Sequence, residues 1–231
     1  MGIIRMGVPE DIALFIKESN KLNRFVETGT FHGDTSAWAS QYFQFVDTIE
    51  LSEMLYFKTK RRFDNVHNIN LIFGDSRMEL KKIIVNATEP ILFWLDAHWC
   101  SGESYGEDDQ CPLLEELNII NSSPFNNFIL VDDARLFLAP PPLPNHIKFY
   151  PTINQIVNCL KNQFVSVFED VLIIVPMNKQ ESFCDFLQEK TTKAWKDYGE
   201  QIKQFNKHKS LSRYSKTKLL LRDIIRIWNK R

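Results

Sequence analysis

Short apolar runs alternate with segments of helical periodicity along most of this chain. Residues 24–28, 45–51, 70–74, 91–96 and 127–133 read as strands. Their hydrophobicity is continuous rather than alternating, as expected where both faces of a sheet are covered. Helical patterns fall between them, near residues 35–43, 52–63, 77–85 and 112–121. Ser52 and Ser76 suit N-caps, and Pro112 suits a first helical turn. Strand and helix repeating at this spacing predict a parallel, doubly wound α/β sheet. A helix near 153–160 precedes two more apolar runs, 164–169 and 171–176. About one residue separates them, so they predict an antiparallel hairpin at the sheet edge. Residues 9–20 form an amphipathic helical pattern ahead of the first strand. After Asn178 the pattern turns helical and polar, with an amphipathic stretch over 216–230. The expected organisation is a domain over 1–178, with an N-terminal helical segment over 1–23, and a basic helical extension over 179–231.

Composition agrees with one α/β domain and an extension. The chain has 231 residues, 44% hydrophobic and 25% charged, enough to bury a core and to exclude disorder as its main state. No apolar run approaches the ~20 residues of a membrane span. No secretory signal is visible, and Met6 stands where a myristoylation pattern needs Ser or Thr. Cys100, Cys111, Cys159 and Cys184 make no CxxC pair, so a reduced, cytoplasmic chain is expected. Residues 201–231 carry ten Lys or Arg against one acid, while the other residues are net acidic. Such a tail is either a solvated face or a contact for an anionic surface.

The chemistry gathers at strand ends. The first strand runs through Glu27, Thr28, Gly29, Thr30 and Gly33 to Thr35 and Ser36. Its glycines allow a tight turn and close approach of a ligand to the next helix. The spacing is GxxxG rather than GxGxxG, and Glu27 precedes it. A pyrophosphate would be repelled by that carboxylate, whereas a cationic ligand would be drawn to it. This disfavours NAD and favours S-adenosylmethionine, which carries an ammonium and a sulfonium. The alternative is an ordinary βα turn. Glu50, with Leu51 after it, ends the second strand some 20 residues on, where an acid binds ribose hydroxyls. Asp75 and Ser76 follow the third strand, as an adenine contact or equally as a helix-capping pair.

The fourth strand delivers Asp96 and His98, and the fifth delivers Asp132 and Asp133. Three converging carboxylates, Asp96, Asp132 and Asp133, suit Mg²⁺. The alternative is acids that are solvated or paired with Arg135. His98 lies two residues past Asp96 and is the candidate general base. A zinc site from His98, Cys100 and Cys111 matches no standard spacing. Two long loops follow these strands: 99–110, polar, and 138–151, which holds five of the ten prolines. Tyr105, Phe137 and Tyr150 are candidate linings of an acceptor pocket.

The runs VETGTFHGDTSAWAS, TIELSE, GDSR, FWLDAHWCSG, CPLLEEL and ILVDDARLF, over roughly residues 7–177, resemble class I S-adenosylmethionine-dependent methyltransferases. Within them the chain is most similar to a bacterial group with a DAHW motif, and more distantly to macrocin-type sugar O-methyltransferases. The resemblance implies a Rossmann-like seven-stranded sheet, mostly parallel with an antiparallel last strand. By position Asp96, Asp132 and Asp133 match the Mg²⁺ ligands of the macrocin type. His98 stands where that family has its proposed base, an Asp. The implied activity is O-methylation of a small-molecule or carbohydrate acceptor. S-adenosylmethionine is held by the 27–36 turn, Glu50, Leu51, Asp75, Ser76 and Asp96, with His98 and Asp96 catalytic. Two other readings stand beside it: a dinucleotide-binding oxidoreductase, disfavoured by Glu27, and a non-catalytic scaffold. Nucleic acid is not an expected partner, because the site face is acidic. The C-terminal helix, with Trp228 and Leu219 on one side and Lys216, Lys218, Arg222 and Arg226 outward, either lies on an anionic surface or packs on its own domain or a second subunit.

Overall fold

The computed structural model describes residues 7–99 and 109–228, with side chains of the last helix described to residue 206. Calls on Cys100, Gly102, Tyr105 and the rest of 100–108 therefore lie outside the described residues, as do the side chains after 206.

The chain divides into two units, residues 1–178 and 179–231. The first is a seven-stranded sheet in the order β3-β2-β1-β4-β5-β7-β6. Its strands are β1 (Arg24–Thr28), β2 (Phe45–Glu50), β3 (Ile69–Phe73), β4 (Ile91–Leu95), β5 (Phe128–Val131), β6 (Gln163–Phe168) and β7 (Val171–Pro176). β1 to β5 pair in parallel, and β7 runs antiparallel between β5 and β6. The helices are α1 (Glu10–Asn20), α2 (Asp34–Ala39), α3 (Glu53–Phe63), α4 (Ser76–Val85), α5 (Leu113–Ile120), α6 (Arg135–Leu138) and α7 (Ile153–Cys159). The second unit holds a short 3₁₀ turn at Met177–Lys179 that straddles the boundary, then α8 (Gln180–Trp228).

Hydrophobic continuity identified the central strands for a physical reason. Every residue of β4 and β7 is buried, whereas the edge strands β3 and β6 are mostly half-exposed. Strand alternation then sorts side chains between two layers. Val26, Phe93 and Leu95 join the main core with Leu80, Leu117 and Ile156 of α4, α5 and α7. On the other face Phe25 meets the rings of Trp38 and Phe43, at 6.2 and 5.2 Å between centroids. Fully burying each such ring is worth roughly 1.5–3 kcal/mol. A one-residue slip of β1 would send Phe25 and Val26 into the wrong layers, so its register is firmly set.

Helix starts correct two expectations. Asp75, not Ser76, caps α4: its extended backbone lets the carboxylate accept the Arg77 amide at 2.8 Å, and Ser76 is the first helical residue. Pro112 stands at the cap of α5, one position before its first turn. Ser52 caps α3 as expected, accepting from the Leu55 amide. The short α6 was not anticipated, since four residues are too few for a periodicity.

The sheet order reverses between β1 and β4, and there the backbone leaves no room. Gly29 has φ 82°, and a Cβ on it would stand 2.8 Å from the Asp96 carbonyl carbon. A Cβ on Gly33, at φ 79°, would stand 2.5 Å from the Phe63 ring. At both positions the chain's own backbone and side chains occupy the place that a Cβ would need. Gly29→Ala adds overpacking against backbone to an unfavourable φ. It is expected to lower the unfolding free energy by about 1–3 kcal/mol in denaturant titration.

Candidate active site

Register brings the strand ends into one line. Thr28 pairs with Leu95, and Leu95 with Val131, so Gly29, Asp96 and Asp132 leave the sheet side by side. The Asp96 amide donates to the Thr28 carbonyl at 3.0 Å, and the Asp132 amide to Leu95 at 3.1 Å. A cleft of about 730 Å³ opens over this edge, where ligands of open α/β sheets bind. Gly29, Glu50, Leu51, Asp75, Ser76, Asp96, His98, Asp132 and Asp133, all candidates from the sequence, line it. Glu27, Thr28, Thr30, Gly33, Thr35 and Ser36 do not appear in its lining; they form the layer beneath or beside it.

Glu27 is the most consequential of these. It is buried, accepts from the Thr48 hydroxyl at 2.6 Å and also from the Ser36 hydroxyl, and has no cation among those partners. Burial pushes its pKa up to about 7; the Ser36, Thr48 and Thr35 hydroxyls pull it down, and Glu50 pushes it up again. Thr30 donates or accepts with Thr48 at 2.6 Å and so braces the same group. Glu50 reaches into the cleft from the end of β2. Its two oxygens accept the amides of Phe31 and Ser52, each at 2.8 Å. Burial raises its pKa, and those amides moderate the shift. Phe31 holds a left-handed φ of 49°, which aims its amide at Glu50.

The opposite wall is an acid cluster organised by cations. Asp133, at φ 56°, turns its carboxylate toward His98 and Arg135. A bulky residue rarely adopts that backbone, and Asp does so at modest cost. Its Oδ2 stands 2.8 Å from His98 Nε2, and its Oδ1 stands 2.5 Å from Arg135 Nη1. Burial opposes ionisation of Asp133, but the His98 hydrogen bond and Arg135 outweigh it and hold the pKa below the usual range. Arg135 also pairs with Asp170 from the β6–β7 turn. Burial raises the Asp96 pKa well above the usual range; His98 opposes this and Asp132 adds to it. Burial and then Asp133 push Asp132 up to about 6. His98 Nδ1 lies 3.5 Å from Asp96 Oδ1, too long for a good hydrogen bond.

The three acids do not fit the expected Mg²⁺ site as they stand. Asp133 has spent its oxygens on His98 and Arg135, and Asp132 Oδ1 accepts the Asp133 amide at 2.8 Å. Among the described residues no group of three His, Cys, Asp or Glu is placed to hold a metal ion. The alternative reading, acids paired with Arg135, is the arrangement found. Asp75 too is engaged, with Arg77 at 2.6 Å and as the α4 cap. Phe137 and Tyr150 are core residues rather than cleft lining, because Phe137 lies in α6, which turns it inward.

Three participants escaped sequence reasoning. Arg77 lines the cleft and bridges Asp75 to Asp109 at 2.7 Å. Glu116 of α5 is only 1% exposed, and burial pushes its pKa up to about 7. Asp170 sits in a hairpin turn with no sequence signal. The doubled acid of the CPLLEEL run was the available hint for Glu116, since one of two adjacent helical residues must face inward.

No protein-family model matches this chain, and no curated protein sequence does. Solved structures do match in fold. A Staphylococcus aureus protein named as a caffeoyl-CoA O-methyltransferase superposes with TM-score 0.53 at 14% identity, over 74% of this chain and 84% of that one. A Klebsiella pneumoniae protein named as an O-methyltransferase gives 0.50 at 12%, over 76% and 84%. The SAH-bound methyltransferase of Podospora anserina gives 0.50 at 18%, over 74% and 79%. At these identities the likeness is one of fold: the seven-stranded Rossmann-like sheet of the methyltransferases, here followed by a C-terminal helix.

Glu27 makes a testable statement about stability. A carboxyl whose folded pKa is raised holds its proton when folded and sheds it sooner when unfolded, so stability falls as pH rises from the unfolded to the folded value. For Glu27 that window runs from 4.5 to about 7. Glu27→Gln is expected to raise the unfolding free energy at about pH 8 by up to ~3 kcal/mol, with the gain shrinking toward about pH 5. A gain independent of pH in denaturant titrations would remove Glu27 as the cause.

Proposed function

We propose that this chain is an S-adenosylmethionine-dependent methyltransferase acting on an oxygen of a small or sugar-like acceptor. The observation that carries this reading is the pair of acids at the β1 and β2 ends. Glu27 is buried without a cation among its hydrogen-bond partners, and Glu50 lines a cleft of cofactor size. A cationic cofactor relieves what a pyrophosphate would aggravate. The likeness of the motifs to the DAHW group, and more remotely to macrocin-type enzymes, belongs to the same reading.

When bound, S-adenosylmethionine supplies a methyl group made electrophilic by its sulfonium. Glu50 accepts the ribose hydroxyls, its carboxylate already fixed by two backbone amides. Glu27, through the 27–36 turn, favours the positive amino-acid end. Leu51 and Ser76 flank the nucleoside beside Asp75. Asp133 fixes the His98 ring through Nε2, and His98 is the base that draws the proton from the acceptor oxygen. Arg135 keeps Asp133 ionised during that transfer. Asp96, driven toward its neutral form by burial against the pull of His98, offers a hydrogen bond toward the acceptor. Most of the acceleration comes from holding acceptor oxygen and methyl in line. No step is routed through a metal. A magnesium requirement would need His98 and Arg135 to release Asp133.

Isothermal titration with S-adenosylmethionine and with NAD, each with and without Mg²⁺, tests the class. Micromolar binding of the first alone is expected. An NAD isotherm would mean an oxidoreductase, and no binding of either a scaffold. Glu50→Gln is expected to weaken S-adenosylmethionine by about 1.5–3 kcal/mol, since it removes a charged acceptor; unchanged affinity would sink the ribose contact. His98→Ala is expected to spare cofactor affinity and abolish turnover, measured as S-adenosylhomocysteine release once an acceptor is found. Retained turnover would remove His98 as the base.

A further inference from the structure

α8 carries an apolar stripe that water should not be left to face. Trp195, Tyr198, Ile202 and Phe205 are 69%, 55%, 42% and 66% exposed. Their spacing of three, four and three residues puts them on one face of the helix. Trp195 and Tyr198 touch, with ring centroids 6.1 Å apart. At 100° per residue, the exposed Lys193, Lys196 and Lys203 fall about 120–160° from the centre of that face, on the back of the helix with Asp197 and Glu200.

Two occupants can be weighed on this pattern. A coiled coil with a second copy needs the stripe sustained over about three heptads. Here the preceding positions of the same spacing are Gln188 and Thr191, and the following ones are Lys209 and Ser212. The stripe is four residues long and stops. A bilayer surface needs no such length; it needs aromatic residues at headgroup depth, cations around them and a net positive charge. Residues 201–231 carry ten Lys or Arg against one acid. The sequence beyond the stripe interleaves Leu220, Ile224 and Trp228 with Lys218, Arg222 and Arg226. No helix among the described residues is long and apolar enough to cross a membrane, so α8 would lie on the surface rather than span it.

We propose that α8 docks this protein on an anionic lipid surface, with Trp195, Tyr198, Ile202 and Phe205 entering the headgroup layer and the lysines and arginines meeting its negative charge. Apolar insertion and basic attraction are each weak alone and together make a stable anchor. The attraction falls away within a Debye length, so it must weaken with salt.

Flotation of the full-length protein with vesicles tests this. It is expected to float with phosphatidylcholine vesicles containing phosphatidylglycerol, at least ~10-fold better than with phosphatidylcholine alone, and to be released by high salt. Trp195→Ser with Phe205→Ser is expected to lower that partition by at least ~10-fold without changing the circular dichroism or the S-adenosylmethionine titration. Lys193, Lys196 and Lys203 changed together to Glu should lose the preference for anionic vesicles. Failure of the intact chain to float with phosphatidylglycerol vesicles overturns the proposal. So does a dimer by light scattering that the double variant makes monomeric, or RNA binding that the double variant abolishes while vesicles are ignored.

Discussion

The site depends on one close approach. Where the sheet order reverses, Gly29 lies against the Asp96 carbonyl, with no space for a side chain between β1 and β4. That contact fixes the height of the Asp96 carboxylate relative to the turn that follows β1. It also fixes Asp132, because the Asp132 amide is tied to Leu95, the residue before Asp96. The crevice is therefore a consequence of parallel pairing carried to its limit at a switch point. Glycine serves backbone packing first at this position, and whatever access a ligand gains there follows from that packing.

A second constraint is electrostatic. Glu27, Glu50, Asp96, Asp132 and Asp133 crowd the carboxyl edge of the sheet, and burial raises the pKa of all but the last. Such a cluster works against stability near neutral pH. On the β5 side His98 and Arg135 offset it. On the β1 side only hydroxyls and amides do. The asymmetry gives the cleft two ends with different appetites. The β5 end contains its own cation, and the hydrogen bonds to Glu27 and Glu50 at the β1 end come from hydroxyls and backbone amides.

Most of the fold was legible because a doubly wound sheet writes itself as buried apolar runs. β1 and β7 fall where the pattern put them, and the others differ by a residue or two at their ends. α6 was invisible because four residues carry no period. Strand-end chemistry was legible too: Glu50, Asp96, His98, Asp132 and Asp133 converge because parallel register aligns strand ends. Pairing between side chains was not legible. Whether Asp133 faces an ion or Arg135 depends on a left-handed backbone and on Asp170, 35 residues beyond Arg135 in a turn without any distinguishing pattern. Glu116 was hidden for the opposite reason, since an acid on a helix is read as solvated unless the packing around it is known.

The same distinction bears on the setting of His98. An imidazole between two carboxylates is held charged and inert if both are ionised and both are close. Here the two differ. Asp133 is 2.8 Å away and kept ionised with the help of Arg135, whereas Asp96 is 3.5 Å away and driven toward its neutral form. Nε2 is thereby held against an ionised carboxylate, while the Asp96 side of the ring meets a carboxyl driven toward neutrality. Replacing Arg135 would leave His98 alone to offset the burial of Asp133. The cation that offsets Asp133 is thus covalently part of the chain, placed by α6 and paired with Asp170 of the β6–β7 turn.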